Sequence, residues 1–459
     1  MLRNTIELSS KSMVVFDEEE QVLMDKILGG TDELGVVAIV GMAGIDKSWL
    51  LLRNTVFKEE KNSFCPRELE EIGKQIAKSC SGLPLAIVVI GGLLARLDKK
   101  KGYWIKVAQR LSASAKVAGE AEWYMEVIEL TYKHLPSYLK QCFLFFGLFL
   151  EDEEVSVKML TRIWVAEGFV QSNEVTMTAD IVAMDYLIDL ISSNLVMVAN
   201  RSPLGDVKSV RLHDLVLEFC LNKAKDENFL AKDDRSPAFD PAVSSSASDV
   251  QRFLICSKMQ HFIEWFYPTQ RIHTLRLHAQ NIDESYSLTD GEMNKFVVPS
   301  GAFSSDLFRS SLTVLDLANI VIDASALEDI TFLIHLRYLS IFGNFKEIPP
   351  AISNLTNLET LVARPKNGTL TLPGSIWDMI NLKHVDTSEA LIHFNDIEAE
   401  KEDVFTLEKL ESFSKVVIVN GDDICEMCKK APNLVLLELL TVDRCDNLFN
   451  SLNCLIHLA

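Results

Sequence analysis

The stretch "LRYLSIFGNFKEIPPAISNLTNL", Leu336 to Leu358, carries two apolar registers in one short span. Leu336, Leu339 and Ile341 fit the pattern L-x-x-L-x-L. A second pattern opens at Ile348: Ile348, Ile352, Leu355 and Leu358 stand at offsets 0, 4, 7 and 10, with Pro349 at offset 1. "LPGSIWDMINL" from Leu372 repeats that second register. The first can be set at Leu312 ("LTVLDL"), Leu336 ("LRYLSI"), Leu358 ("LETLVA"), Leu382 ("LKHVDT"), Leu410 ("LESFSK") and Leu434 ("LVLLEL"), with starts separated by 24, 22, 24, 28 and 24 residues. An earlier register at Ile272 ("IHTLRL") lies across a longer insertion. Two registers at one period indicate a repeated unit, each copy adding one short strand to a stack.

The period is that of leucine-rich repeats. Residues 236–459 are therefore expected to form a repeat solenoid whose concave face carries the variable x positions. That face is free to bind a partner or to fold back on the rest of the chain. The 459 residues suffice for two to four domains, and a composition of 48% hydrophobic and 24% charged residues is globular. With 65 acidic against 45 basic residues the net charge is −20, which on average repels nucleic acid and anionic membrane. The one run of basic residues, Lys99–Lys101, is too short to counter this. The longest apolar stretch, Leu83–Ala95, is well short of the roughly 20 residues that span a bilayer. A soluble, cytoplasmic chain with no transmembrane segment is expected. Nine scattered cysteines fit reduced thiols. Cys425 and Cys428 are read as two thiols on one helix turn, because Cys445 and Cys454 supply no closely spaced second pair for zinc.

Upstream of the repeat the pattern is helical. Residues 12–30 predict a helix with Asp17–Glu20 in its first turn. Val36–Val40 predicts a buried strand. From Pro66 to Cys80, Leu69, Ile72, Ile76 and Cys80 recur at helical spacing, with Glu70 and Lys74 placed to pair on the wet face. "LPLAIVVIGGLLARL" follows, with Pro84 opening a helix apolar all round and so buried among others. "CFLFFGLFLEDEEV" (Cys142–Val155) is expected to be an apolar helix with an acidic end. "VKSVRLHDLVLEFCLNKA" is expected to run from a short strand into a helix.

"IVGMAGIDKSWLLL" (Ile39–Leu52) approaches the phosphate loop G-x-x-x-x-G-K-[ST], in which backbone N–H groups and a lysine cradle phosphate. Gly41, Gly44, Lys47 and Ser48 are in place, but Asp46 stands where the second glycine belongs. A carboxylate there costs on the order of 1–4 kcal/mol per charge pair against bound phosphate. The same segment also reads as a ligand-free strand, turn and helix. No apolar strand ending in Asp lies between Trp49 and Cys80 to fix magnesium for phosphoryl transfer.

Taken together these motifs resemble, in order, the plant disease-resistance proteins of the nucleotide-binding, leucine-rich-repeat (NLR) class, and most closely their late-blight resistance group. "VVFDEEEQVLMDKILGG" resembles the start of that family's nucleotide (NB-ARC) domain, and "GMAGIDKS" its phosphate loop. "CSGLPLAIVVIGGLL" holds its Gly-Leu-Pro-Leu motif. "CFLFFGLFLEDEEV" resembles the opening of its winged-helix subdomain, with Leu150 where Pro is usual. "RLHDLVLEFC" resembles its Met-His-Asp motif, with Leu212 for Met. The family places an N-terminal signalling domain before these motifs, and most of a parallel sheet between phosphate loop and Gly-Leu-Pro-Leu. Here about a dozen residues precede the first motif, and Ser48 runs straight into the Gly-Leu-Pro-Leu flank, as if by an internal deletion near Ser48–Trp49.

The resemblance implies an α/β multi-domain chain. Residues 1–60 would be a remnant phosphate-loop segment, 61–120 a helical ARC subdomain, 121–235 a winged-helix subdomain and 236–459 the leucine-rich-repeat solenoid. It implies ADP or ATP with magnesium as cofactor, held by Gly41, Gly44, Lys47 and Ser48, with Ser48 on the metal, Pro84 beside adenine and His213 toward the β-phosphate. Asp214 would fix the subdomain interface. Without the resemblance, Pro84 is helix punctuation and the His213–Asp214 pair a capped helix start. The implied function is an intracellular immune receptor working as an ADP/ATP switch, here impaired and not an enzyme. Its repeat face would meet proteins: a pathogen effector, a guarded host protein or related receptors. A non-switching interaction module and an active ATPase are the alternatives.

Overall fold

α1 (Ile45–Phe57), α2 (Arg67–Ser79), α3 (Pro84–Arg96) and α4 (Lys101–Ser114) form a helical group whose packing follows from side-chain spacing. On α1, Trp49, Leu52, Val56 and Phe57 are buried while Lys47 is exposed. The six-membered edge of the Trp49 ring abuts Gly73 of α2, where any Cβ would collide with it, and Thr55 occupies the matching space over Gly91 of α3. Leu69, Ile72 and Ile76 bury the predicted face of α2, and Glu70 pairs with Lys74 at 2.8 Å on the wet side. α3 opens on Pro84 as expected and buries eight residues from Ala86 to Leu94. The structure, a computed structural model, describes residues 45–57, 65–97, 99–114, 120–170, 178–233, 250–255, 271–278, 298, 301–392, 406–418 and 421–441. The helix expected at 12–30, the strand Val36–Val40, and Gly41 and Gly44 lie outside these residues.

The chain divides into two compact units. The first joins the four helices to residues 154–157 and 193–211. There β1 (Val155–Ser156), β2 (Met197–Arg201) and β3 (Val207–Arg211) make an antiparallel sheet in the order β1-β3-β2. Asn200 and Ser209 both donate to the Glu154 carboxylate, at 2.5 and 3.2 Å. Asn194 donates to the Val88 carbonyl of α3 at 3.0 Å, and Gly92 lets the backbone of Ser193 approach.

The second unit holds α5 (Glu120–Lys133) from Tyr124 onward, α6 (Ser137–Leu144), α7 (Val157–Ala166) from Lys158, α8 (Ala179–Ser192), α9 (Asp214–Asp226) and a parallel sheet. The apolar segment after Cys142 is not one helix. α6 ends at Leu144, a tight 3-10 turn covers Phe145–Leu148, and the chain is extended at Phe149. Phe145, Phe146 and Phe149 are all buried, and turning the chain lets their rings meet Phe169 and Trp164 edge-on. The bend brings the rings of both Phe145 and Phe146 to Phe149.

The sheet is built of β4 (Ala231–Asp233), β5 (Arg252–Ile255), β6 (Thr274–His278), β7 (Val314–Asp323), β8 (Tyr338–Asn344), β9 (Thr360–Pro365), β10 (Leu370–Leu372), β11 (His384–Ile392), β12 (Ser412–Ile418) and β13 (Leu436–Thr441). They run in chain order from β4 to β13 with every pairing parallel, β10 lying beside β11 off the main path. Seven strands, β6 to β9 and β11 to β13, start two residues after the sequence register, and their fourth-position residues align as Leu275, Leu315, Leu339, Leu361, Val385, Phe413 and Leu437. The first six are at most 1% exposed. "PAISN" and "GSIWD" form 3-10 turns that bury Ile352, and Ile376 with Trp377. α10 (Asp306–Ser311), α11 (Ala324–Ile330) and α12 (Gly421–Lys430) complete the unit. Cys65, Cys80, Cys142, Cys220 and Cys428 are free thiols, but Cys425 is disulfide-bonded, against the all-reduced expectation.

Candidate functional site

The sequence-derived nucleotide residues are separated in role. Lys47 is exposed and Ser48 half-buried on the first turns of α1. Pro84 is exposed at the first position of α3, where its missing N–H is no loss. His213 is the N-cap of α9, its Nδ1 accepting from Leu215 N at 3.3 Å, and Asp214 is the first helical residue. The cap is thus the histidine, with the aspartate placed to favour the helix dipole.

A second, denser site lies within the second unit, where the segment after α6, together with α7 and α8, meets the first residues of the parallel strands. Strand-start side chains should be solvated x positions. Instead Thr274, Arg276, Asp316, Ser340, Thr360, His384 and Ser412 are all at most 9% exposed. Buried polar groups demand partners, and Thr274, Arg276, His384 and Ser412 find them on the helical side. Arg276 is the centre. It donates to Asp316 at 3.0 Å, to both Glu153 oxygens at 2.5 and 3.2 Å, and to the Leu148 carbonyl at 2.8 Å, and its guanidinium stacks over Phe149 at 4.4 Å. Burial opposes its charge, but the carboxylates of Asp316 and Glu153 outweigh burial and hold its pKa above the ordinary value.

Flanking contacts repeat the design. Glu167, just past α7, accepts from Arg252 at 2.7 Å and from the Thr274 hydroxyl. Burial raises its pKa, and Arg252 and Arg337 oppose this. Arg252 in turn lies over Phe229 and Phe169. Arg337 caps the last carbonyl of α7, Ala166, at 2.9 Å while bonding Glu359 at 2.6 Å. That carbonyl has no partner inside its helix and carries the negative end of its dipole. Arg162 of α7 donates to Ser412 at 3.1 Å, and burial lowers its pKa. Asp180, in the first turn of α8, meets His384 Nε2 at 3.2 Å. Burial raises the Asp180 pKa, but the His384 bond and nearby cations win and the net shift is downward.

Sequence reading located the x positions but not their cover. A signal was present: Arg337, Glu359, Lys383 and Glu411 each follow a register start and alternate in sign. Arg337 and Lys383 both bond Glu359. A second signal was also missed. Asn357, Asn381 and Asn433 each precede a register leucine and donate to Ile334, Thr356 and Glu408 carbonyls at 2.8–2.9 Å, tying each repeat to the one before.

Comparison with known proteins adds identity to this geometry. Residues 148–220, which span the helical half of the clamp from Leu148 through α7 and α8, match the disease resistance protein winged helix domain. The chain therefore carries the winged-helix domain of plant disease resistance proteins. Its sequence is similar to that of late blight resistance proteins. It is 35% identical over 402 residues to a putative late blight resistance protein homolog of Solanum demissum, covering 84% of this chain and 29% of that protein. It is 36% identical over 398 residues to a second putative homolog, covering 85% and 28%, and 34% identical over 399 residues to a late blight resistance protein, covering 84% and 29%, both of the same plant. The chain spans less than a third of the length of these relatives. Among the described residues no helix is long and apolar enough to cross a membrane.

Proposed function

We propose that this chain is the winged-helix and sensor portion of an intracellular, cytoplasmic plant immune receptor of the NLR class, with its parallel sheet acting as a leucine-rich-repeat solenoid that holds the winged-helix segment at rest. The observation that carries this reading is the buried Arg276 cluster, which spends strand-start positions on the chain's own winged helix instead of an external partner. A pathogen effector or guarded host protein would engage the remaining repeat face and compete with that hold. The intact switch needs a ligand that discriminates two states. Gly41, Gly44, Lys47 and Ser48, with Pro84 and His213, are the residues we assign to ADP or ATP, Ser48 meeting magnesium. Asp46 weakens this site by repelling phosphate. We assign no catalytic turnover to it.

A non-switching interaction module is the second reading. The engagement of His213 Nδ1 as a helix cap supports it, because that nitrogen is already committed. Denaturing the purified protein and running the supernatant on anion exchange separates the two. Sub-stoichiometric ADP that disappears in Lys47→Ala supports an impaired switch. An empty trace for both proteins supports the module. Magnesium-dependent phosphate release abolished by Lys47→Ala would support an ATPase and overturn both.

A further inference from the structure

We infer that Asp180, His384 and Glu411 form a binding site for a divalent transition cation of the zinc type. Their ligand atoms all lie within 4.8 Å of one another, and they come from three places: the first turn of α8, the first residue of β11 and the residue before β12. The imidazole is prepared for a metal. Its Nε2–H donates to the Asp180 carboxylate at 3.2 Å, and its Nδ1 is 2.9 Å from the Ser412 hydroxyl, which itself accepts from Arg162; a bound cation would displace the Nε2 proton, and the tautomer with Nδ1–H donating to Ser412 would turn the Nε2 lone pair to the ion. Metal-bound imidazoles are oriented in this way by a hydrogen bond at the other nitrogen.

Glu411 gives the independent indication. In the alternating row of charges after each register start, Glu359 takes both Arg337 and Lys383. The Glu411 carboxylate makes no hydrogen bond to another described residue; it has the Arg162 charge nearby and stands close to a second carboxylate, Asp180. Two like charges at that distance repel, and a dication between them reverses the sign of the interaction. One imidazole and two carboxylates suit zinc or its neighbours in the first transition row, and are too few oxygens for calcium. Asp180 and Glu411 are partly solvent-exposed, which gives an ion a way in. The Arg162 guanidinium repels a dication, so affinity falls below that of a four-ligand structural zinc site. Bound there, the ion would cross-link α8 to the sheet.

The test is cobalt(II) titration of chelator-stripped protein, followed by visible d–d absorption and by displacement with zinc chloride. One equivalent is expected to give the cobalt bands and raise the unfolding temperature. Glu411→Gln, which leaves the Asp180–His384–Ser412 bonds in place, should weaken binding at least about tenfold, as should His384→Gln. Absence of the bands overturns the proposal. So does binding undiminished in Glu411→Gln that retains the wild-type circular dichroism spectrum, since the ion would then sit elsewhere.

Discussion

Replacing Arg276 with Met keeps most of the side-chain volume and removes the guanidinium. Asp316, 3% exposed at its side chain, and Glu153, 20% exposed, then lose their shared cation, and the Leu148 carbonyl loses its donor. Breaking a buried pair by deleting one partner costs about 3–5 kcal/mol, because the remaining charge stays desolvated. In a unit of this size each kcal/mol moves the unfolding midpoint by about 2–4 °C, so a fall of about 6–20 °C is expected. Urea denaturation measures the free energy without the salt screening that guanidinium would introduce. Asp316→Asn keeps the acceptor for Ala318 N while removing charge, and combining it with Arg276→Met should recover at least about 1 kcal/mol of the summed losses. A loss below about 1 kcal/mol with no coupling would refute the claim that this cluster holds the winged-helix segment.

Gly73→Ala should destabilise the first unit by about 1–3 kcal/mol in thermal unfolding, since its Cβ would lie within the Trp49 ring and α1 would have to move. Gly343→Ala should cost at least as much, because there the obstacle is the backbone of Ile322, which cannot rotate aside. Asp323 caps α11 through Ala326 N at 3.0 Å, so Asp323→Ala should cost about 1 kcal/mol and Asp323→Asn little. Burial raises the Asp323 pKa, but its bonds to Ala326 and Ser325 outweigh this and lower it below the ordinary 3.8. Its stabilisation is therefore present above pH 3.8 and lost as pH falls through the lower folded value. The difference between Asp323 and Asp323→Ala in urea midpoints should shrink in that acid range and stay constant above it.

The repeat strands were legible because burial of one leucine per strand forces a fixed spacing, and Leu315, Leu339 and Leu361 obey it. β4 and β5 were not, because "AKD" and "RFLI" carry no L-x-x-L-x-L register; parallel pairing with β6 places them in the sheet. The turn at Phe145–Leu148 was hidden for another reason. A run of consecutive apolar residues has no period, and aromatic packing around Trp164 decided where the chain bends. Of the residues that the family resemblance assigns to nucleotide, Pro84 and His213 were also legible as helix punctuation, and that is the role their geometry displays. The clamp escaped because its partners lie over 100 residues apart, as for Arg276 and Leu148, and no local pattern links them.

Hydrogen exchange in wild type and Arg276→Met tests the covering of the strand starts by the winged helix most directly. Residues 145–166 should exchange at least about tenfold faster in the variant, while α3 and β9 keep their protection, as expected for local release without global unfolding. Unchanged protection across 145–166 in a folded Arg276→Met protein would contradict the clamp.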